Sequence, residues 1–129
     1  MSETWLRLRE GGVEVRPDGI AARAQIPADS PFFSGHFPDN PVVPGIALLA
    51  LVKLALAAAA EVTPAAGGRE VVGFKRVKFR RIQTCGGEFA VRVELREGAQ
   101  EEALRFSVSI GGELLCDGLM LAPIGGGLT

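Results

Sequence analysis

His36 is the only histidine in a chain of 129 residues. It stands in the run Phe33-Ser34-Gly35-His36-Phe37-Pro38-Asp39-Asn40-Pro41-Val42-Val43-Pro44-Gly45. Neutral imidazole, with a pKa of about 6.5, can accept a proton at neutral pH. Nine residues later Pro44-Gly45 opens a long apolar run, which reads as the start of a helix. A helix start presents unpaired N–H groups and about half a positive charge. Gly45 has no side chain to keep a ligand away from that backbone. A base beside an oxyanion-binding helix start suits removal of a proton next to a carbonyl, where enolate-like charge develops. A solvated or structural loop histidine is the plainer alternative. The surrounding Pro and Gly residues favour a loop built to hold a geometry.

The elements that must position this loop follow from periodicity. Gly12–Arg16 and Ile20–Ile26 read as strands joined by a turn at Pro17-Asp18-Gly19. In the second, Ile20, Ala22, Ala24 and Ile26 alternate with Ala21, Arg23 and Gln25. From Pro27 to Gly45 five prolines exclude any regular element, and a structured loop of that length is usually functional. The helix spans Ile46 to Ala60 and stops before Thr63-Pro64 and Gly67-Gly68. Four further strands are expected at Glu70–Arg80, Glu88–Arg96, Ala103–Ile110 and Glu113–Leu121, with a tight hairpin at Gly111-Gly112. Residues 1–129 read as one α+β domain, an antiparallel sheet curled around one long apolar helix. A flexible tail is expected from about residue 123.

Composition removes several classes of function. Apolar residues are 47% and charged residues 22%, as in ordinary globular domains. Fourteen Lys and Arg face 15 Asp and Glu, and aromatics are only 6%, so neither nucleic acid nor an anionic membrane is selected. The helical run is broken only by Lys53, and at about 22 Å it falls short of the roughly 30 Å hydrocarbon core. It reads as a buried central helix wrapped by its own protein. Cys85 and Cys116 are 31 residues apart, with neither metal-site nor disulfide-framework spacing, which fits the reducing cytosol. Both read as small apolar fillers rather than nucleophiles. No targeting segment is evident in the first ten residues.

The run Gly35-His36-Phe37-Pro38-Asp39-Asn40-Pro41-Val42-Val43-Pro44-Gly45, followed by the apolar helix, resembles the FabA/FabZ-type (3R)-hydroxyacyl-[acyl carrier protein] dehydratases. Phe74-Lys75-Arg76-Val77-Lys78-Phe79-Arg80-Arg81 and Gly86-Gly87-Glu88-Phe89 extend the likeness weakly over most of the chain. The resemblance implies the hot-dog fold and a dimer with an acyl tunnel along the subunit interface. It also implies elimination of water from a 3-hydroxyacyl thioester to give a trans-2-enoyl thioester, with no metal or organic cofactor. His36 would take the α-proton and the Gly45 N–H would polarise the thioester carbonyl. Phe33, Gly35, Phe37, Pro44, Ala50 and Lys53 would line the substrate site.

One position departs from the pattern. The family's acid, fourteen residues after the histidine, falls on Ala50, and no Asp or Glu occurs from Ile46 to Ala60. Lys53, three residues further on the same helix face, can donate a proton or hold a water. Equally, it can run its stem along apolar surface to solvent, or pair with a carboxylate across a dimer. Asp39 can act as an acid or simply mark a turn. A third route is a partner hot-dog chain that supplies the acid.

Lys75, Arg76, Lys78, Arg80 and Arg81 concentrate charge on one expected strand. Strict alternation puts Arg76, Lys78 and Arg80 on one face with Phe74, and Val77 and Phe79 on the other. That stripe can receive an acidic carrier protein or the phosphate of its pantetheine arm. It can also be a solvated face balanced by acids such as Glu88 and Glu94. The leading function is therefore a dehydratase acting on thioesters of carrier protein or coenzyme A. The alternatives are a binding subunit that has lost its acid and serves a catalytic partner, and a hot-dog thioesterase.

Overall fold

The computed structural model of the chain describes residues 7–26, 45–81, 87–95 and 101–124. Six strands and one helix follow in the order β1 (Arg7–Arg16), β2 (Gly19–Gln25), α1 (Gly45–Ala59), β3 (Gly73–Phe79), β4 (Phe89–Glu94), β5 (Ala103–Ile110) and β6 (Glu113–Leu121). They form one antiparallel sheet ordered β1-β2-β4-β5-β6-β3, with β1 and β3 at its edges. α1 packs across β1, β2, β4 and β5.

The alternation of β2 is borne out, since Ile20, Ala22 and Ala24 are buried while Arg23 and Gln25 face solvent. Phe89, Val91 and Val93 of β4, with Phe106 and Val108 of β5, continue the same buried face. Gly111 and Gly112 turn the β5–β6 hairpin with φ of 57° and 85°, the pair of positive values that a two-residue turn of matching twist requires.

Two strands differ from their periodic reading. β1 begins at Arg7 rather than Gly12, because a bulge carries the chain past its glycines. Leu8 pairs with Ala24 and Val13 already with Ala22, and Gly12 absorbs the surplus at φ 66°. β3 carries a second bulge, in which Arg76 and Val77 together oppose Gly118 between the pairs Lys75–Leu119 and Lys78–Asp117.

Among the described residues most of the helix surface is covered, and Leu49, Ala50 and Leu54 also pack against the core. Ala47, Leu48, Leu51, Val52, Ala55, Leu56 and Ala59 are buried, the repeat of a single helical face. Ile46 is 68% exposed, Lys53 and Ala57 face solvent, and Ala50 is half-buried. The expected central helix is borne out, with only a narrow stripe of it left to solvent.

Beyond α1 the chain turns through Thr63, whose N–H donates to the Ala59 carbonyl. Arg69 then ties this turn to the far end of the sheet, donating to the carbonyls of Ala65, Glu101 and Ala122. Pro123 and Ile124 are held as well: Glu70 N–H donates to the Pro123 carbonyl, and Arg69 bridges Ile124.

Candidate active site

α1 opens at Gly45, and no acidic residue lies in its first turn to compete for the free N–H groups. Against this first residue lies the ring of Phe79, the last residue of β3. A Cβ at position 45 would stand 2.7 Å from Cε1 and 2.8 Å from Cζ of that ring. A side chain at position 45 would have to displace this ring. Phe79 is nonetheless 54% exposed, so the ring covers the helix start on one side and meets solvent on the other.

Phe33, Gly35, His36, Phe37, Asp39 and Pro44 lie outside the described residues, as does Cys85. Of the expected site residues, Gly45, Ala50 and Lys53 follow one another along α1. Ala50 is half-buried against the core and Lys53 is exposed. Among the described residues no group of three or more His, Cys, Asp or Glu could hold a metal ion.

The bulge in β3 corrects the expected stripe. Cross-strand partners share a face of a sheet. Phe74 pairs with Met120 and Phe79 with Cys116, both fully buried, so these two rings lie on the helix side. Phe74 also meets Phe106 edge-to-face, with ring centroids 5.6 Å apart. Lys75 pairs with Leu119 and Lys78 with Asp117 on the opposite face. Phe74 therefore does not share a face with Lys78 and Arg80, and Phe79 does not oppose it. Arg76 sits at the bulge with φ 57°, exposed. Alternation fails because two residues are spent against one glycine.

On that outer face Lys75, Lys78 and Arg80 join Arg92 and Arg105, which sequence reading did not single out. Asp117 lies among them. Arg80 donates to both of its carboxylate oxygens through Nε and Nη2. This pairing holds the Asp117 carboxyl below the usual carboxylate range, with further help from the charges of Lys78 and Arg105 against a partial desolvation cost. The same pair raises the Arg80 guanidinium. Arg105 lies 4.0 Å from Glu94, and Arg23 lies 3.6 Å from Glu88, so both expected acids do face cations. A shallow groove of about 350 Å³ between Arg92, Arg105, Ser107, Leu114 and Asp117 crosses this face, and no residue of α1 lines it.

Cys116 is fully buried, and burial, followed by the nearby Asp117 charge, pushes its thiol up to about 12. It is a neutral core residue, as expected.

The ApeI-like family, described as ApeI dehydratase, matches residues 13–118. The 3-hydroxyacyl-[acyl-carrier-protein] dehydratase FabZ of Chloroflexus aggregans is 31% identical over 119 residues, covering 87% of this chain and 81% of that protein. Two solved structures share the fold. One is the dehydratase heterocomplex ApeI:P from Xenorhabdus doucetiae, with a TM-score of 0.67 at 18% identity over 91% of this chain and 94% of that one. The other is an uncharacterized protein from Erwinia carotovora subsp. atroseptica, with a TM-score of 0.64 at 26% identity over 88% and 91%. The six-stranded sheet on one helix is the hot-dog fold, and with a match across most of its length the chain belongs to the ApeI-like, FabA/FabZ-related family of hydroxyacyl-thioester dehydratases.

Proposed function

We propose that the protein removes water from a (3R)-hydroxyacyl thioester, with His36 as the base and the Gly45 N–H as the group that receives the carbonyl oxygen. The carrying observation is Gly45 as the first residue of α1, nine residues after His36, within a chain of this family. His36 takes the α-proton while negative charge moves onto the thioester oxygen. The free N–H groups of the helix start stabilise that charge. The electron pair then forms the α–β double bond as the β-hydroxyl departs with a proton as water, leaving a trans-2-enoyl thioester. The reaction run backwards is hydration, and its loss of enoyl absorbance is the test. Wild type is expected to hydrate a trans-2-enoyl thioester and His36→Ala to lose at least 10²-fold in kcat, the ordinary worth of a positioned base. Equal rates in the two proteins would sink this reading.

α1 carries no carboxylate to give the departing hydroxyl its proton. A dimer of identical chains would meet the same deficit twice, because neither helix carries a carboxylate. This favours a non-identical hot-dog subunit whose acid faces His36, with Lys53 as the cation that meets it. The solved heterocomplex of the ApeI:P dehydratase is the precedent for such pairing in this fold. A thioesterase reading lacks a carboxylate on α1 to activate water and stands last.

The substrate is expected to arrive on an acyl carrier protein or coenzyme A. Arg76, Lys78 and Arg80 are exposed, and Lys75, Arg92 and Arg105 widen the basic surface, in which Asp117 and Glu94 pair with Arg80 and Arg105. An acidic carrier fits that balance. No helix of the described residues is long and apolar enough to cross a membrane. A cytosolic location is the reading that the cysteine usage supports.

A further inference from the structure

β3 places a large aromatic ring where an edge strand ordinarily carries polar residues, and the structure spends two demanding backbone positions to do so. Arg76 adopts φ 57°, a left-handed conformation rarely taken by residues other than glycine. Gly118 opposite it has no room for a side chain, since a Cβ would stand 2.9 Å from Val77 Cα and 3.0 Å from the Arg76 carbonyl oxygen. Together they shift the register by one residue, and the shift moves Phe79 from the outer face to the helix side. The ring ends against Gly45 yet stays 54% exposed, so core packing does not account for it. Backbone strain of this kind is kept where a side chain must be aimed.

We infer that Phe79 is a substrate-positioning residue: its ring forms the wall of the thioester site at the start of α1. The inference rests on the reading of Gly45 as the carbonyl-binding group. A carbonyl oxygen that reaches the Gly45 N–H brings the thioester alongside the open side of the ring. There the ring fixes the acyl group by contact and removes water from the helix start, which strengthens the N–H bond to developing negative charge. On the side away from the ligand, a side chain at position 45 would have to displace the same ring.

The test places 4-fluorophenylalanine at position 79 alone and follows its fluorine resonance as trans-2-butenoyl-N-acetylcysteamine is added, which needs no turnover. Hydration kinetics of Phe79→Ala and Phe79→Leu run beside it. The expected result is a saturable shift at position 79, a KM raised about tenfold in Phe79→Ala, and recovery of most of that loss in Phe79→Leu. A merely structural ring would lower the active fraction, and so kcat, with KM unchanged. If the thioester binds or reacts and yet the resonance stays still and KM is unaltered, the assignment falls while the reading of Gly45 stands. A resonance that answers to protein dilution instead of thioester makes the ring a subunit contact and overturns the assignment too. A wild type that neither binds nor hydrates the thioester removes the site reading and this inference together.

Discussion

On the proposed reading, Ala50 is the residue on which catalytic competence turns. It is half-buried against the core, three residues before the exposed Lys53. Ala50→Glu is expected to raise enoyl hydration on the order of 10²-fold, the lower end of general-acid assistance. Unchanged turnover in a well-folded variant would mean that the missing carboxylate is not what limits the site. Asp117 carries a separate residue-scale prediction. Its carboxyl titrates lower in the folded chain than in the unfolded one, so the pairing with Arg80 stabilises the fold fully above the usual aspartate pKa of about 3.9. That contribution is lost as pH falls from there through the folded-state value. Asp117→Asn is therefore expected to flatten the decline in thermal midpoint below about pH 4, as read by circular dichroism melts. Cys116, neutral to about pH 12 and buried, is expected to resist a thiol reagent in the native Cys85→Ser protein and to react on denaturation. Rapid native labelling would contradict its burial. At this scale the sequence was most informative where chemistry depends on residue type: His36, Gly45 and the absent acid at Ala50 are visible without coordinates. The contact between Phe79 and Gly45 was not, because it joins residues 34 positions apart through a register shift.

β3 is the element whose reading from periodicity failed, and the reason is local. One residue of surplus exchanges the faces of everything beyond it. Val77, Lys78, Phe79 and Arg80 alternate plausibly in either register, so their types do not choose between the two. The signal lay on the neighbouring strand, where Gly118 follows Asp117 between two apolar runs, and an isolated glycine in a strand often marks a bulge. Gly118→Ala is expected to destabilise by about 1–3 kcal/mol, because its Cβ meets backbone at 2.9 and 3.0 Å rather than a side chain that can swing away. Urea unfolding should show a lower midpoint with an unchanged slope. A neutral substitution would show that the bulge can move. The β5–β6 hairpin was legible to the residue for the converse reason: paired glycines between two alternating runs admit one turn geometry.

For the whole molecule, the described residues cover most of α1 and leave Ile46, Lys53 and Ala57 open to solvent. A helix this apolar is expected to find cover in a second subunit, so sedimentation should report a dimer or larger, and a monodisperse soluble monomer would count against the interface tunnel. The far end of the fold is closed by Arg69, which gathers the carbonyls of Ala65, Glu101 and Ala122 after the helix. Arg69→Ala is expected to cost about 2 kcal/mol in urea unfolding while leaving KM for a thioester unaltered, since its partners lie at the end of α1 remote from Gly45. Element order and the identity of the core were legible because burial repeats along each strand and along one stripe of the helix. Only Lys53 marked which side of α1 stays open, because the Ala, Leu and Val around it offer every direction the same burial.

The central claim is that His36 and the start of α1 remove a proton next to a thioester carbonyl, whether or not water can then leave. The most direct measurement is incorporation of solvent deuterium at the α-carbon of a (3R)-hydroxybutanoyl thioester, followed by proton NMR in wild type and His36→Ala. Loss of the α-proton signal in wild type, faster than any net formation of enoyl thioester and abolished in His36→Ala, is the predicted result. Exchange at the same rate in both proteins, or none above the rate in buffer, would contradict it.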